Sequence, residues 1–239
     1  MGSLLPRQFS DRDPAPRPDL LTIANGEPLV WAVPLPTADV ESVEVEEGTL
    51  SGAERERASA FADPAGRARY VVTRLALRRL LGGLLAIGPA RIALGTAPGG
   101  KPILLSETER RIEFNYGHTD GLALIAVAEG LPIGIDVERA GRRRGDCKAI
   151  ATRFFSNEER RFFEQLPDEA TFLSLWTRKE AVLKALGTGL AGGLDTFSVV
   201  GEGRWLDEVE CGGNFYRMRA LAAPDGYEAA LASRTERRR

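Results

Sequence analysis

Two acidic residues stand two positions apart in the segment GIDVER, and this spacing places both side chains on one face of a strand. Asp136 and Glu138 share that face, whereas Ile135 and Val137 point to the opposite one. Two carboxylates about 5–7 Å apart repel each other by roughly 2–3 kcal/mol at an effective dielectric constant of about 20. A proton, a basic partner or a divalent cation must offset that repulsion. The spacing alone leaves these three alternatives open.

A second acidic element lies in the segment FLSLWTRKEAVLKALGTGL, which has the apolar spacing of an amphipathic helix and ends in Gly187, a typical C-terminal residue. Trp176, Glu180 and Lys184 are four residues apart and lie on one face of this helix. Glu followed by Lys at this spacing is also the favoured surface pair, which contributes about 0.3–0.5 kcal/mol. Taken alone, the segment favours such a surface pair over a site.

Three further motifs carry polar residues that have ordinary structural explanations. Ser156 and Glu159 in FFSNEERRFF fit a helix-capping box. Lys101 in GGKP follows flexible glycines but lacks the spacing and hydroxyl of a nucleotide P-loop. His118 in FNYGH is the single histidine of the chain, and one histidine without nearby cysteines cannot form a zinc site.

Composition excludes several classes of protein. With 239 residues, 43% hydrophobic and 28% charged, the chain is long enough for one large domain or two small ones and is ordinary for a soluble protein. A formal net charge of −2 gives no general attraction to nucleic acid or to an anionic membrane. We expect no secretory signal or membrane span, because no sustained hydrophobic segment occurs. Cys147 and Cys211 are expected to be free thiols, which favours a cytoplasmic protein.

The pattern of elements predicts an α+β fold with two related α/β lobes that meet near Leu131 and share a cleft, a natural ligand site. Each half contains a strand, helices and then three strands, although the two halves show no strong amino-acid sequence similarity to each other. The expected helical regions are 51–85 and about 146–186. The expected strands are 29–35, 91–96, 112–117, 122–128, 132–139, 195–200, 215–222 and 226–232. The expected divisions are a flexible N-terminal segment 1–24, lobes 25–131 and 132–232, and a flexible basic tail 233–239.

The order and joint spacing of these motifs carry a specific resemblance. GKP, FN-x-x-H, GIDVE, RFFSNEE and WTRKEAVLKALGTGL, followed by LDTFSV, resemble the surfactin-synthetase-activating type of 4′-phosphopantetheinyl transferase from about Arg69 to Val199. The resemblance implies two pseudo-symmetric lobes with the active site between them. It also implies transfer of the phosphopantetheine arm of coenzyme A to a serine of an acyl- or peptidyl-carrier protein, with release of adenosine 3′,5′-bisphosphate and dependence on Mg²⁺.

The resemblance assigns catalytic roles to five residues. Asp136, Glu138 and Glu180 are expected to hold Mg²⁺ against the coenzyme A pyrophosphate, which suits a hard cation that prefers oxygen ligands. Glu159 is expected to take the proton of the carrier serine, directly or through water. Lys184 is expected to steady the phosphate or the leaving group.

It also assigns coenzyme A contacts. Lys101 and His118 match positions that contact its phosphates, and Arg69 resembles a basic residue near the 3′-phosphate. The family usually reads FN-x-S-H, whereas Gly117 replaces that serine here. We expect at most weaker coenzyme A binding from this departure, because a glycine N–H can still approach a phosphate closely.

Two other functions remain open at this point. A Mg²⁺-dependent phosphohydrolase acting on a nucleotide or coenzyme A pyrophosphate would use the same acids, although it would not explain the long W-x-x-K-E motif. A binding scaffold would carry the acids as ordinary surface charge. Carriers of fatty-acid, polyketide, nonribosomal-peptide and lysine pathways all fit the expected reaction, and a chain with two related lobes is expected to act as a monomer.

Overall fold

The structure, a computed structural model, describes residues 27–36, 48–141, 146–189 and 193–235 together with the backbone of residues 7–8. Within these ranges the chain forms a mixed α+β fold with five α-helices and several small sheets. The helices are α1 Gly52–Ser59, α2 Pro64–Leu85, α3 Cys147–Phe154, α4 Asn157–Gln165 and α5 Glu169–Leu186. The strands are β1 Arg7–Gln8, β2 Leu29–Pro34, β3 Leu94–Thr96, β4 Pro102–Leu104, β5 Ile112–Thr119, β6 Leu122–Glu129, β7 Ile133–Arg139, β8 Val200–Gly201, β9 Arg204–Trp205, β10 Glu208–Cys211, β11 Asn214–Ala220 and β12 Tyr227–Thr235.

Sheet A has the strand order β1-β2-β6-β5 and packs against the long helix α2. Only the β1–β2 pair is parallel; β2, β6 and β5 pair in antiparallel fashion. Leucines at helical spacing in α2, Leu77 and Leu81 among them, contact Phe114 and Ile125 of the sheet. Asp63 begins α2 by accepting hydrogen bonds from the first-turn amides, with Pro64 at the first helical position.

Sheet B has the order β10-β11-β12-β7, with every neighbouring pair antiparallel. Its outer face packs against α5, where Leu175 and Val182 are fully buried. Alternating residues of β7 point to the other face, and Ile133, Ile135 and Val137 pack there against β2 and β6 of sheet A. The layers are therefore α2, sheet A, sheet B and α5, with three apolar clusters between them.

The same local motif begins a short helix in each half of the chain. Ser51 caps α1 and Ser156 caps α4, each in a capping box with a glutamate at the third helical position. In both cases the buried glutamate pairs with a cation that lies 20 residues later on the following long helix: Glu54 with Arg74, and Glu159 with Lys179. Strand order also recurs, as β2-β6-β5 in sheet A and β7-β12-β11 in sheet B.

Most predicted elements are confirmed. The strands expected at 29–35, 112–117, 122–128, 132–139, 215–222 and 226–232 correspond to β2, β5, β6, β7, β11 and β12. Three helices occupy the region from 146 to 186, where two or three were expected. In the described part of the chain no helix combines the length and the apolar character that crossing a membrane requires.

Four expectations need correction. The helical region 51–85 is interrupted before Pro64, because Asp63 caps a new helix there. Residues 91–96 and 195–200 were each expected to be one strand, but each begins as a 3₁₀ turn, and the following strands are short. The flexible basic tail was expected from residue 233, but residues 233–235 belong to β12. The N-terminal segment 1–24, apart from Arg7–Gln8, and residues 236–239 lie outside the described residues.

Candidate functional site

Asp136 of β7 and Lys184 of α5 form the centre of the candidate site. Lys184 Nζ lies 2.7 Å from Asp136 Oδ1 and donates a further hydrogen bond of 3.2 Å to the carbonyl oxygen of Ile135. Asp136 is only 7% exposed, and its second oxygen, Oδ2, is buried and accepts no hydrogen bond from the described residues. A buried carboxylate oxygen without a donor is costly, so this atom marks a place where a cation or donor is expected to bind.

Three acids act on the Lys184 ammonium. Burial favours the neutral amine, but the carboxylates of Asp136, Glu180 and Glu138 outweigh it and raise the pKa of Lys184 above its ordinary value. Glu138 and Glu180 are both half-buried. The two acids of β7 and the acid of α5 therefore all act on one cation, and in this structure that cation is Lys184.

The close approach of α5 to β7 depends on a glycine. A Cβ atom at Gly134 would lie 2.1 Å from the carbonyl oxygen of Ala181, 2.4 Å from the amide of Ala185 and 2.8 Å from Lys184 Cβ. Any side chain at this position would force the helix away from the strand. The glycine of GIDVE is therefore needed to bring the lysine of α5 against the aspartate of β7.

Glu159 lies in a different environment from the one expected for a base. It is fully buried, and Oε1 is 2.7 Å from Lys179 Nζ and accepts a 2.9 Å hydrogen bond from the amide of Val199. Its other oxygen, Oε2, accepts a 2.8 Å hydrogen bond from the amide of Ser156. A base must come within about 2.6–3.2 Å of the proton donor, directly or through one water. In this structure Glu159 caps α4 and anchors α5 through Lys179, and its general-base role stays a prediction.

Lys101 approaches α5 from the first half of the chain. Its Nζ donates a 3.3 Å hydrogen bond to the carbonyl oxygen of Ala185, and Glu113 lies 3.9 Å away. Burial lowers the pKa of Lys101, and Glu113 only partly opposes this effect. A Cβ at Gly99 would lie 1.8 Å from the carbonyl oxygen of Gly187, so the GGKP turn packs directly on the end of α5. Lys101 thus bonds the carbonyl of the residue that follows Lys184 in α5.

His118 lines an open cavity of about 730 Å³ between α1, α2 and the β3–β4 hairpin. Arg57, Tyr70 and Tyr116 also line it, and Arg57 is an exposed cation whose Cζ lies 5.8 Å from the Tyr70 ring centroid. Arg74 lies in the same wall but is paired with Glu54. A cavity with an exposed guanidinium, a histidine and two phenol rings can accept an anionic group joined to a flat ring.

Arg69 is paired with two acids in this structure, and the nucleotide contact that the resemblance implies stays a prediction. Its guanidinium lies 3.0 Å from Asp120 and 3.4 Å from Asp63, and the residue is not among those that line the His118 cavity. These two carboxylates compensate the charge of Arg69. Its side chain therefore links the start of α2 to the β5–β6 turn. Arg57 instead is the exposed arginine that shares the cavity with His118.

The donor atoms around Asp136 suit Mg²⁺, although the acids do not form a ready-made cluster. Hard divalent cations take carboxylate oxygens and usually keep waters and substrate phosphates as further ligands. Asp136 Oδ2 offers one buried oxygen of this type. Within the described ranges, however, no three acidic, histidine or cysteine side chains lie close enough together to enclose a metal ion by themselves. The Mg²⁺ site at Asp136, Glu138 and Glu180 therefore stays a prediction.

Sequence reasoning gave no role to two buried polar residues. Asn115 is 3% exposed, and its Oδ1 accepts a 3.1 Å hydrogen bond from the amide of Ile135. Lys179 is fully buried and donates to Glu159 and to the carbonyl oxygen of Phe197. A polar residue in an apolar strand or on a core face must find a partner, which is the one signal that could have singled them out.

Comparison with known proteins identifies the family. A sequence profile of the 4′-phosphopantetheinyl transferase superfamily matches residues 132–231, which include Asp136 and Lys184. The chain is 38% identical over 180 residues to the 4′-phosphopantetheinyl transferase HetI of Nostoc sp., an overlap of 74% of this chain and 75% of the relative. It is 33% identical over 165 residues to the 4′-phosphopantetheinyl transferase Sfp of Bacillus subtilis, covering 63% of this chain and 71% of that protein. The chain is therefore a transferase that belongs to the 4′-phosphopantetheinyl transferase superfamily.

Proposed function

We propose that this enzyme transfers the 4′-phosphopantetheine arm of coenzyme A to a serine hydroxyl of an acyl- or peptidyl-carrier protein, as the surfactin-synthetase-activating type does. The serine oxygen forms a bond to the phosphorus that carries the pantetheine arm. The bond from this phosphorus to the bridging oxygen breaks, and adenosine 3′,5′-bisphosphate leaves with that oxygen. The observation that carries the proposal is the Asp136–Lys184 pair of 2.7 Å with one carboxylate oxygen left over.

The proposed Mg²⁺ ligands are Asp136, Glu138 and Glu180. All three carboxylates act on the Lys184 ammonium, so they face one small region. When bound, Mg²⁺ would neutralise part of the negative charge of the coenzyme A pyrophosphate and of the departing bisphosphate. Lys184 would then turn its ammonium toward the phosphates, whose negative charge favours the protonated form.

Because Glu159 is enclosed, a more accessible carboxylate is better placed to take the serine proton. Glu180 is half-buried on the same face of α5 as Lys184, whereas Glu159 has no exposed surface. We therefore assign the base to Glu180, in addition to its place among the ligands. Removing the proton as the oxygen attacks typically contributes about 10²–10⁴-fold in rate.

The nucleotide of coenzyme A fits the cavity that His118 lines. His118 and Arg57 supply cationic or hydrogen-bonding groups for a phosphate, and Tyr70 and Tyr116 supply apolar surface for the base. Lys101, held against the end of α5, lies on the path from this cavity toward Lys184. The recurring capping boxes and strand orders support an arrangement of two pseudo-symmetric lobes, 25–131 and 132–232, with the site where β5, β7 and α5 meet.

A phosphohydrolase would use the same acids, but the comparisons give this alternative no support, because the matching relatives carry transferase names. Incubation with coenzyme A and Mg²⁺, with and without an apo-carrier protein, separates the two reactions. The transferase releases bisphosphate only when the carrier is present and adds one phosphopantetheinyl group to the carrier, as mass spectrometry would show. Release of bisphosphate at the same rate without a carrier would reject the proposal. A panel of fatty-acid, polyketide and nonribosomal-peptide carriers would then identify the preferred partner.

A further inference from the structure

Two side chains bind the outward backbone groups of Ile135, the residue that precedes Asp136 in β7. β7 is the last strand of sheet B, and alternate residues of such an edge strand point their N–H and C=O groups away from the sheet. At Ile135 the N–H donates to Asn115 Oδ1 at 3.1 Å, and the C=O accepts from Lys184 Nζ at 3.2 Å. The outward N–H of Ile135 is thus bound by a side chain of β5, and its outward C=O is bound by the proposed catalytic lysine.

One face of β5 lies directly against this region. Asn115 and Gly117 share that face because side chains alternate along a strand. A Cβ at Gly117 would be 3.1 Å from the Ile135 carbonyl oxygen, 3.2 Å from Asp136 Cα and 3.3 Å from Lys184 Nζ. The strand therefore contacts the backbone of the aspartate and the tip of the lysine without an intervening layer.

We infer that Asn115 is a positioning residue, whose amide oxygen fixes the Ile135 peptide and thereby sets where the Asp136 carboxylate and the Lys184 ammonium meet. The inference rests on the proposed function, since it concerns the geometry of that reaction. Asn115 itself need touch neither substrate: it is 3% exposed and acts through the backbone of β7. A misplacement of about 1 Å at a reacting centre can cost on the order of 10²-fold in rate, so even a small shift of β7 would be measurable.

Two variants separate positioning from bulk stability. Asn115→Leu keeps the branched shape in a larger side chain and removes the acceptor, whereas Asn115→Asp keeps an oxygen at the same place. We expect kcat to fall by about 10–100-fold in Asn115→Leu, with KM for the carrier changed by less than about threefold. Asn115→Asp should retain several times the kcat of Asn115→Leu. Hydrogen exchange of the Ile135 amide, measured by NMR, should become faster in Asn115→Leu and stay slow in the wild type.

Leu77→Ala is the control for a loss of stability away from the site, because Leu77 is fully buried between α2 and sheet A. Well below its melting temperature this variant should keep the wild-type kcat within about twofold. Equal kcat losses in Asn115→Leu and Leu77→Ala, or unchanged exchange at Ile135, would overturn the inference. If Asn115→Leu does not fold, Asn115→Ala is measured with the same expectations. A wild-type protein that modifies no carrier would instead reject the proposed function, and the exchange measurement would still decide whether Asn115 holds the Ile135 amide.

Discussion

Lys184 Nζ lies 2.7 Å from Asp136 Oδ1, so a helix of the second half and the strand beneath it meet through opposite charges at the candidate site. The pair is not an ordinary surface ion pair. Asp136 is 7% exposed, and the ammonium is also bonded to the Ile135 carbonyl oxygen. The Glu180–Lys184 spacing, which by itself favours a surface pair, thus belongs to a partly buried group of charges around β7.

Lys184→Met should lower the rate of transfer by about 10²–10³-fold, the usual effect of removing one group that stabilises charge in a transition state. Methionine fills similar space without the ammonium, so a large loss would reflect charge rather than packing. Lys148→Met is the matched control, because Lys148 is exposed on α3. Initial rates at saturating coenzyme A would test this, and a Lys184→Met rate within threefold of wild type would show that the ammonium does not act on the phosphates.

Gly134→Ala should destabilise the protein by about 3 kcal/mol, because the added methyl group would meet backbone atoms of α5 that cannot move separately. The same change at Gly88, where a Cβ would meet nothing within 4 Å and φ is −54°, should alter stability by less than about 0.5 kcal/mol. Urea denaturation of the two variants gives the comparison. Equal stabilities would mean that α5 does not pack on β7 as closely as the structure shows.

Glu159→Gln should behave as the loss of a buried ion pair rather than of a base. Leaving Lys179 without its carboxylate should cost about 3–5 kcal/mol of stability, and adding Lys179→Met should restore part of it. At a temperature where Glu159→Gln is folded, its kcat should stay within about tenfold of wild type, with an unchanged pH profile. A loss of about 10⁴-fold in a folded variant, with the acidic limb of the profile gone, would return the general-base role to Glu159.

The stabilising effect of Glu54 should depend on pH. Burial raises the pKa of this carboxyl, but the Ser51 amide and the guanidinium groups of Arg74 and Arg78 outweigh burial and lower it. A lowered folded-state pKa gives stability that is present above the unfolded value of about 4.3 and is lost as the pH falls through the folded value. Glu54→Gln should therefore be less stable than wild type by about 3 kcal/mol at pH 7.

That difference should shrink as the pH falls below about 4, because the wild-type carboxyl becomes neutral as well. Denaturation midpoints of the two proteins between pH 7 and pH 3 would test this. A difference that stays constant over this range would show that the two arginines do not depend on an ionised Glu54.

Local signals in the sequence predicted much of the fold. Alternation in β7 separated Ile135 from Asp136, and Ser156 with Glu159 predicted the start of α4. Spacing by four placed Trp176, Glu180 and Lys184 on one face of α5, and all three are half-buried there. These features depend on neighbours along the chain, which is why one sequence suffices to predict them.

Contacts between distant segments were the part that could not be predicted. Nothing in the spacing of FNYGH shows that Asn115 reaches the Ile135 amide, or that Gly117 lies beside Lys184. The pairing of Glu159 with Lys179 on another helix is likewise visible only in three dimensions. The bond of Arg69 to Asp120, 51 positions later, could not be predicted for the same reason.

The most direct test of the central claim is the mass of an apo-carrier protein after incubation with coenzyme A, Mg²⁺ and either wild-type protein or Asp136→Asn. Asparagine keeps the size of the side chain but removes the charge that holds Lys184 and the proposed cation. Glu202→Gln serves as a control, because this acid is on an exposed turn. We expect complete addition of one phosphopantetheinyl group with wild type and Glu202→Gln, and a rate lower by at least about 10³-fold with Asp136→Asn. Modification at the wild-type rate by Asp136→Asn would contradict the account.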